Sequence, residues 1–121
     1  MKNANLKIFE LLSPKYERDN IKLGLSRIKK ALKELGNPCK NIPAIQIIGT
    51  NGKGSIAAYL ESILFEAKKN FGVTTSPHLF DICERIRINK KNINKTDFEK
   101  IFKLIEKNFS TYELTPFEKI I

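Results

Sequence analysis

Apolar residues recur along residues 20–35 at alternating intervals of four and three, so that Ile21, Leu25, Ile28, Leu32 and Leu35 share one face of a predicted helix. Asp19 or Asn20 can cap its start, and Gly36, Asn37 and Pro38 end it. Residues 44–48 are short, apolar and mostly strand-forming between Pro43 and Gly49, and predict a buried strand. From Ser55 to about residue 69, Ile56, Leu60, Ile63, Leu64 and Ala67 return to helical spacing, and residues 71–75 predict a second strand. Strand, glycine turn, helix and strand in this order make a βαβ unit, with parallel strands and a right-handed crossover. Residues 84–89 alternate polar positions with Ile86 and Ile88, as a half-exposed strand does.

Thr96 and Glu99 form a capping-box signature ahead of Phe98, Ile101, Phe102, Ile105 and Phe109, predicting a helix that ends near Asn108. Thr115, Pro116, Phe117 and Glu118 repeat that start signal, with proline at the favoured first helical position. The expected class is α/β, a parallel sheet flanked by helices. It divides into a leading helical segment at 1–43, a strand, loop, helix and strand unit at 44–75, and a loop, strand and helix at 76–121.

With 121 residues the chain is expected to form one domain at most. No apolar run approaches the ~20 residues a membrane helix needs. The amino terminus returns to charge too early for a signal-peptide core, so a cytoplasmic location is expected. Cys39 and Cys83 lie far apart without CxxC spacing, and there is a single histidine, which argues against a zinc site or a disulfide framework. The net charge is +9, with ten Lys/Arg against four acids in residues 1–44, five against four in 45–89 and seven against five in 90–121. The surplus thus sits away from the glycine turn. Aromatic residues are not interleaved with these lysines, so a solvated helix face is expected in preference to a nucleic-acid stripe.

The turn reads Gly49, Thr50, Asn51, Gly52, Lys53, Gly54, Ser55. In the usual triphosphate loop Ser or Thr follows the lysine at once, whereas here Gly54 intervenes. The physical ingredients of a phosphate site are nonetheless present: glycines that allow close backbone approach, a helix amino terminus with unpaired N–H groups, and a lysine to meet the outer phosphates. The alternative is a turn that only joins strand to helix, with Lys53 in water. Three glycines around a lysine, between a strand and a helix, favour phosphate but say nothing about reaction type.

The neighbouring words add that information. GTNGKGS at 49–55, TSPHL at 75–79 and ERIRIN at 84–89, with GLSRIKKALKELGNP at 24–38 and LTPFE at 114–118, resemble the folylpolyglutamate synthase and dihydrofolate synthase family, relatives of the Mur ligases. In that family the loop is GTNGKG followed by Ser or Thr, so Gly54 is the family's own form. The resemblance implies the amino-terminal, incomplete part of a P-loop, Rossmann-like ATP-binding domain. It implies ATP phosphate contacts from the Gly49–Ser55 loop, with Lys53 catalytic, and Mg2+ held by Ser76. It also implies that His78 lies near the substrate and that Thr115, Pro116, Phe117 and Glu118 face the pteroate or folate. The bland readings are a turn serine, a surface histidine and a helix cap. Gln46, Asp81 to Cys83 and Pro116 depart from the family pattern and bear on substrate contacts rather than on phosphate binding.

The implied chemistry is an ATP-driven amide ligation in which the carboxylate of dihydropteroate or a folate becomes an acyl phosphate and the amine of L-glutamate displaces phosphate. Members of the family run for several hundred residues and carry further Mg2+ ligands and a carboxy-terminal domain, so this chain alone is not expected to be a competent ligase. The competing reading is a stand-alone nucleotide-binding or basic interaction module that keeps only the phosphate loop.

Overall fold

The computed structural model describes residues 21–121, which form two units: one contains 21–42 and 96–121, the other 43–95. The candidate caps Asp19 and Asn20 lie outside the described residues.

In the first unit, helix α1 spans Ser26–Glu34, shorter at its start than the periodicity predicts. Gly24 is the reason: its φ of +101° belongs to a turn and not to a helix. Ala31 is buried while Ile28 and Leu32 are half-buried, so the covered stripe is the centre of the predicted one; Ile21, Leu25 and Leu35 at its ends are exposed. We label the other helix of this unit's core α3, Lys95–Phe109. It starts ahead of Thr96, which therefore lies inside the first turn and does not precede it; Asn94, another residue type favoured at that place, stands before the helix. Phe98, Phe102 and Phe109 are buried at helical spacing, and the rings of Phe98 and Phe102 stack with centroids 6.2 Å apart. Each such side chain contributes roughly 1.5–3 kcal/mol on burial. A 3-10 turn, Ser110–Tyr112, follows and packs on α1, where the Tyr112 hydroxyl donates to the Glu34 carboxylate. Helix α4, Pro116–Ile120, closes the unit with Ile120 buried.

The second unit holds helix α2, Lys53–Glu66, and strands β1, Gly72–Thr74, β2, Ile86–Ile88, and β3, Lys91–Asn92. The sheet has the order β1-β2-β3 with both pairs antiparallel. The predicted parallel pairing of 44–48 with 71–75 is not formed among the described residues. Residues 44–48 carry no ladder, and Ile45 and Ile48 are 70% and 81% exposed. A parallel partner needs a crossover connection, whereas β1 reaches β2 through residues 75–85 without an α-helix, a connection that returns the chain antiparallel. Strand β3 is an addition to the predicted elements. Asn89 and Lys90 both take positive φ, +49° and +69°, as a two-residue type I′ hairpin turn requires. Ile56 and Ile63 of α2 are exposed among the described residues, and the helix buries Ala57 and Glu61. No helix among the described residues is long and apolar enough to cross a membrane.

Candidate phosphate-binding site

The turn between residues 48 and 53 reverses on two glycines. Gly49 has φ +147° and Gly52, the residue preceding α2, has φ +77°, both conformations that side-chain-bearing residues avoid. Helix α2 starts at Lys53, two residues ahead of the predicted start, and no side chain caps it. The first backbone bond at this end runs from the Ile56 N–H to the Gly52 carbonyl at 3.0 Å, so the N–H groups of Lys53, Gly54 and Ser55 precede the helical ladder. The Lys53 ammonium folds over the turn and donates to the carbonyls of Gly49 at 2.6 Å and Thr50 at 3.2 Å. A Cβ placed on Gly52 or Gly54 would meet nothing within 4 Å. Gly49, Thr50, Asn51, Gly52, Lys53, Gly54 and Ser55 are therefore brought together as one exposed, positively charged cradle at a helix amino terminus, an arrangement chemically suited to phosphate oxygens.

Ser76 and His78 lie in the loop after β1, whose Ser76–Pro77 peptide is cis. Glu84 organises this loop: its carboxylate accepts the N–H groups of Leu79 at 2.8 Å, Phe80 at 3.1 Å and Asp81 at 3.0 Å. Asp81 in turn accepts the Cys83 N–H at 2.8 Å, and the two acids form a reciprocal capping box on the 3-10 turn Ile82–Arg85. The Leu79 N–H first, with those of Asp81 and Phe80, holds Glu84 below the usual carboxylate range, and the Cys83 N–H does the same for Asp81. Burial pushes the Cys83 thiol up to about 11, aided by Asp81. Arg85 is 1% exposed and donates through Nε to His78 Nδ1 at 3.0 Å.

Behind this loop, Arg87 of β2 forms a two-point ion pair with the buried Glu61 of α2, Nε to Oε2 at 3.2 Å and Nη2 to Oε1, and also donates to Thr75 Oγ1 at 3.4 Å and the Glu84 carbonyl at 3.0 Å. Arg87 thereby ties the phosphate-loop helix to the sheet and to the residue just before Ser76. Sequence reasoning missed Glu61, Glu84, Arg85 and Arg87. The signals were an acid inside an apolar helical stripe, a D-x-x-E spacing at Asp81 and Glu84, and two arginines in a strand otherwise read by its isoleucines.

Thr115, Pro116, Phe117 and Glu118 fall in the other unit, where the predicted cap is realised. Thr115 Oγ1 accepts the Glu118 N–H at 3.2 Å, Glu118 Oε2 accepts the Thr115 N–H at 2.8 Å, and Pro116 takes the first helical position. Glu118 also receives the Arg27 guanidinium. Burial raises the Glu118 carboxyl, but the donors from Thr115 and Arg27 outweigh it and hold the group below its ordinary range. Among the described residues no three His, Cys, Asp or Glu side chains converge as a metal site.

No protein-family model matches the chain. The dihydrofolate synthetase of Saccharomyces cerevisiae is 44% identical over 81 residues, which cover 67% of this chain and 19% of that protein. A folylpolyglutamate synthase of Mycobacterium tuberculosis, solved with ADP, superposes with a TM-score of 0.83 at 28% identity over 98% of this chain and 28% of its own. A bifunctional folylpolyglutamate synthase/dihydrofolate synthase of Yersinia pestis, solved with AMPPNP and a Mn ion, gives a TM-score of 0.73 at 38% identity over 83% of this chain and 24% of its own. The chain thus spans between 19% and 28% of the length of these three proteins. Likeness in sequence and in fold leads to the same group of enzymes as the glycine loop and its neighbouring words: the chain belongs to the folylpolyglutamate synthase and dihydrofolate synthase family.

Proposed function

We propose that this chain provides the phosphate-holding part of a ligase that joins L-glutamate to dihydropteroate or a folate through an acyl phosphate, using ATP and Mg2+ in the cytoplasm. The observation that carries this reading is the Gly49–Ser55 turn, with Lys53 poised over it by bonds of 2.6 and 3.2 Å at the uncapped start of α2.

The residues present fit a nucleotide phosphate, since the turn is exposed, cationic and open above Gly52 and Gly54. ATP with Mg2+ supplies the activating phosphoryl group and part of its charge neutralisation. Lys53, over the turn, would meet the outer phosphates, and the N–H groups of Lys53, Gly54 and Ser55 would hold phosphate oxygens and offset their charge. Ser76, exposed in the next loop, would offer one hydroxyl oxygen to Mg2+, a hard cation suited to oxygen ligands. Thr115, Pro116, Phe117, Glu118 and His78 serve the acid substrate. We also assign residues 44–48 to a parallel P-loop sheet of the complete ligase, supported by their apolar composition and their position immediately before the turn.

Calorimetric titration of the chain with AMPPNP, with and without Mg2+, tests the reading. Saturable binding that strengthens with Mg2+ is expected, and heats no larger than those of dilution at millimolar nucleotide would sink it.

A further inference from the structure

Arg85 has the most buried large side chain among the described residues, and one of its acceptors is a neutral ring nitrogen, His78 Nδ1 at 3.0 Å. A guanidinium taken out of water needs an acceptor for each N–H it turns inward. The adjacent carboxylate of Glu84 is already engaged by three backbone N–H groups, those of Leu79, Phe80 and Asp81. Guanidinium nitrogens only donate, so His78 Nδ1 must present its lone pair and the proton of the neutral ring sits on Nε2. Consecutive residues of one 3-10 turn thus hold this loop in two ways, the Glu84 carboxylate through the backbone N–H groups of Leu79, Phe80 and Asp81, and the Arg85 guanidinium through the ring of His78.

We propose that Arg85 is a positioning residue that fixes His78 as the Nε2–H tautomer, so that the loop offers a single oriented N–H donor to an oxygen of the acid substrate. The identity of that ligand rests on the ligase reading above; the tautomer does not.

The chain contains one histidine, so long-range 1H–15N correlation spectra of the labelled full chain report His78 without ambiguity. At about pH 8, above the ordinary imidazole range, the free chain should show a pyrrole-type Nε2 and a pyridine-type Nδ1. Dihydropteroate should then shift the Nε2 signals. Arg85→Lys keeps the charge but loses the planar fork. It should average the two nitrogens and weaken dihydropteroate binding roughly fivefold, the equivalent of one hydrogen bond of ordinary strength, with the far-ultraviolet circular dichroism unchanged. If that variant does not fold, the wild-type spectra decide. Averaged nitrogens or an Nδ1–H ring in the wild type overturn the proposal, as does dihydropteroate binding that leaves the His78 signals unmoved. No dihydropteroate binding by fluorescence titration, with the Nε2–H ring intact, counts instead against the substrate reading.

Discussion

The guanidinium of Arg27 in α1 meets both carboxylate oxygens of Glu118 in α4, Nε to Oε2 at 3.3 Å and Nη2 to Oε1 at 3.3 Å, across 91 residues of sequence. Their side chains are only 20% and 11% exposed, so the pair is not a solvated surface contact. Glu118 also completes the cap of its own helix. Replacing it by Gln removes the charge and leaves the guanidinium partly buried. Glu118→Gln should cost about 1–3 kcal/mol, read as a lower urea midpoint of the chain. A midpoint equal to wild type would show that the pair contributes nothing.

Lys53 is expected to matter for nucleotide and not for folding, because among the described residues its amine bonds to two exposed loop carbonyls, those of Gly49 and Thr50. Lys53→Ala should weaken AMPPNP binding by roughly 10- to 100-fold, the loss of one charge-assisted contact, with an unchanged urea midpoint. An unchanged affinity refutes the phosphate role.

Two neighbouring glycines should respond in opposite directions. Gly52 holds φ +77° with open space around it, so Gly52→Ala meets no clash but carries the left-handed penalty of roughly 1–2 kcal/mol. Gly54 lies in the first turn of α2 with no such φ and equally open space. Gly54→Ala should raise stability by about 0.4–1 kcal/mol through the unfolded chain. Urea midpoints that move the same way for both contradict the conformational assignment.

Acid should weaken the fold through three carboxylates held below their ordinary range, Asp81, Glu84 and Glu118. Each binds a proton less readily folded than unfolded. Its stabilisation is therefore complete above the unfolded carboxylate range, roughly pH 4–4.5, and is lost as pH falls through the lowered folded values. Denaturation series at stepped pH should show a urea midpoint that declines below about pH 4, less steeply in the double variant Glu84→Gln, Glu118→Gln. A decline just as steep in that variant would place the acid sensitivity elsewhere.

The two cysteines should separate kinetically. Cys39 is exposed, whereas Cys83 is 6% exposed and burial pushes its thiol up to about 11. A disulfide reagent near neutral pH should modify one thiol per chain rapidly and the second only after denaturation. Equal rapid reaction of both would contradict the burial of Cys83.

What local chemistry dictates could be read from the order of residues. The helical stripe of Phe98, Phe102 and Phe109, the Thr115 and Glu118 cap, and the glycine turn before Lys53 each depend on residues a few places apart, and each is found where its pattern predicts. The strand at 44–48 depends on a neighbour, because an apolar run is only a strand when another strand completes its hydrogen bonds; no such neighbour is present among the described residues. The antiparallel sheet was hidden for a related reason: β1 and β2 lie within the predicted strands, but which strands pair, and in which direction, depends on tertiary contacts, and the two-residue β3 is too short for a period-2 signal. The candidate site divides in the same way. Gly49 to Ser55 were legible because a phosphate cradle is built from consecutive backbone groups. The pairs of Glu61 with Arg87, Arg85 with His78 and Arg27 with Glu118 join residues 26, 7 and 91 places apart. Such partners are chosen by folding, since a charged group removed from water takes the acceptor or donor that the tertiary arrangement sets beside it.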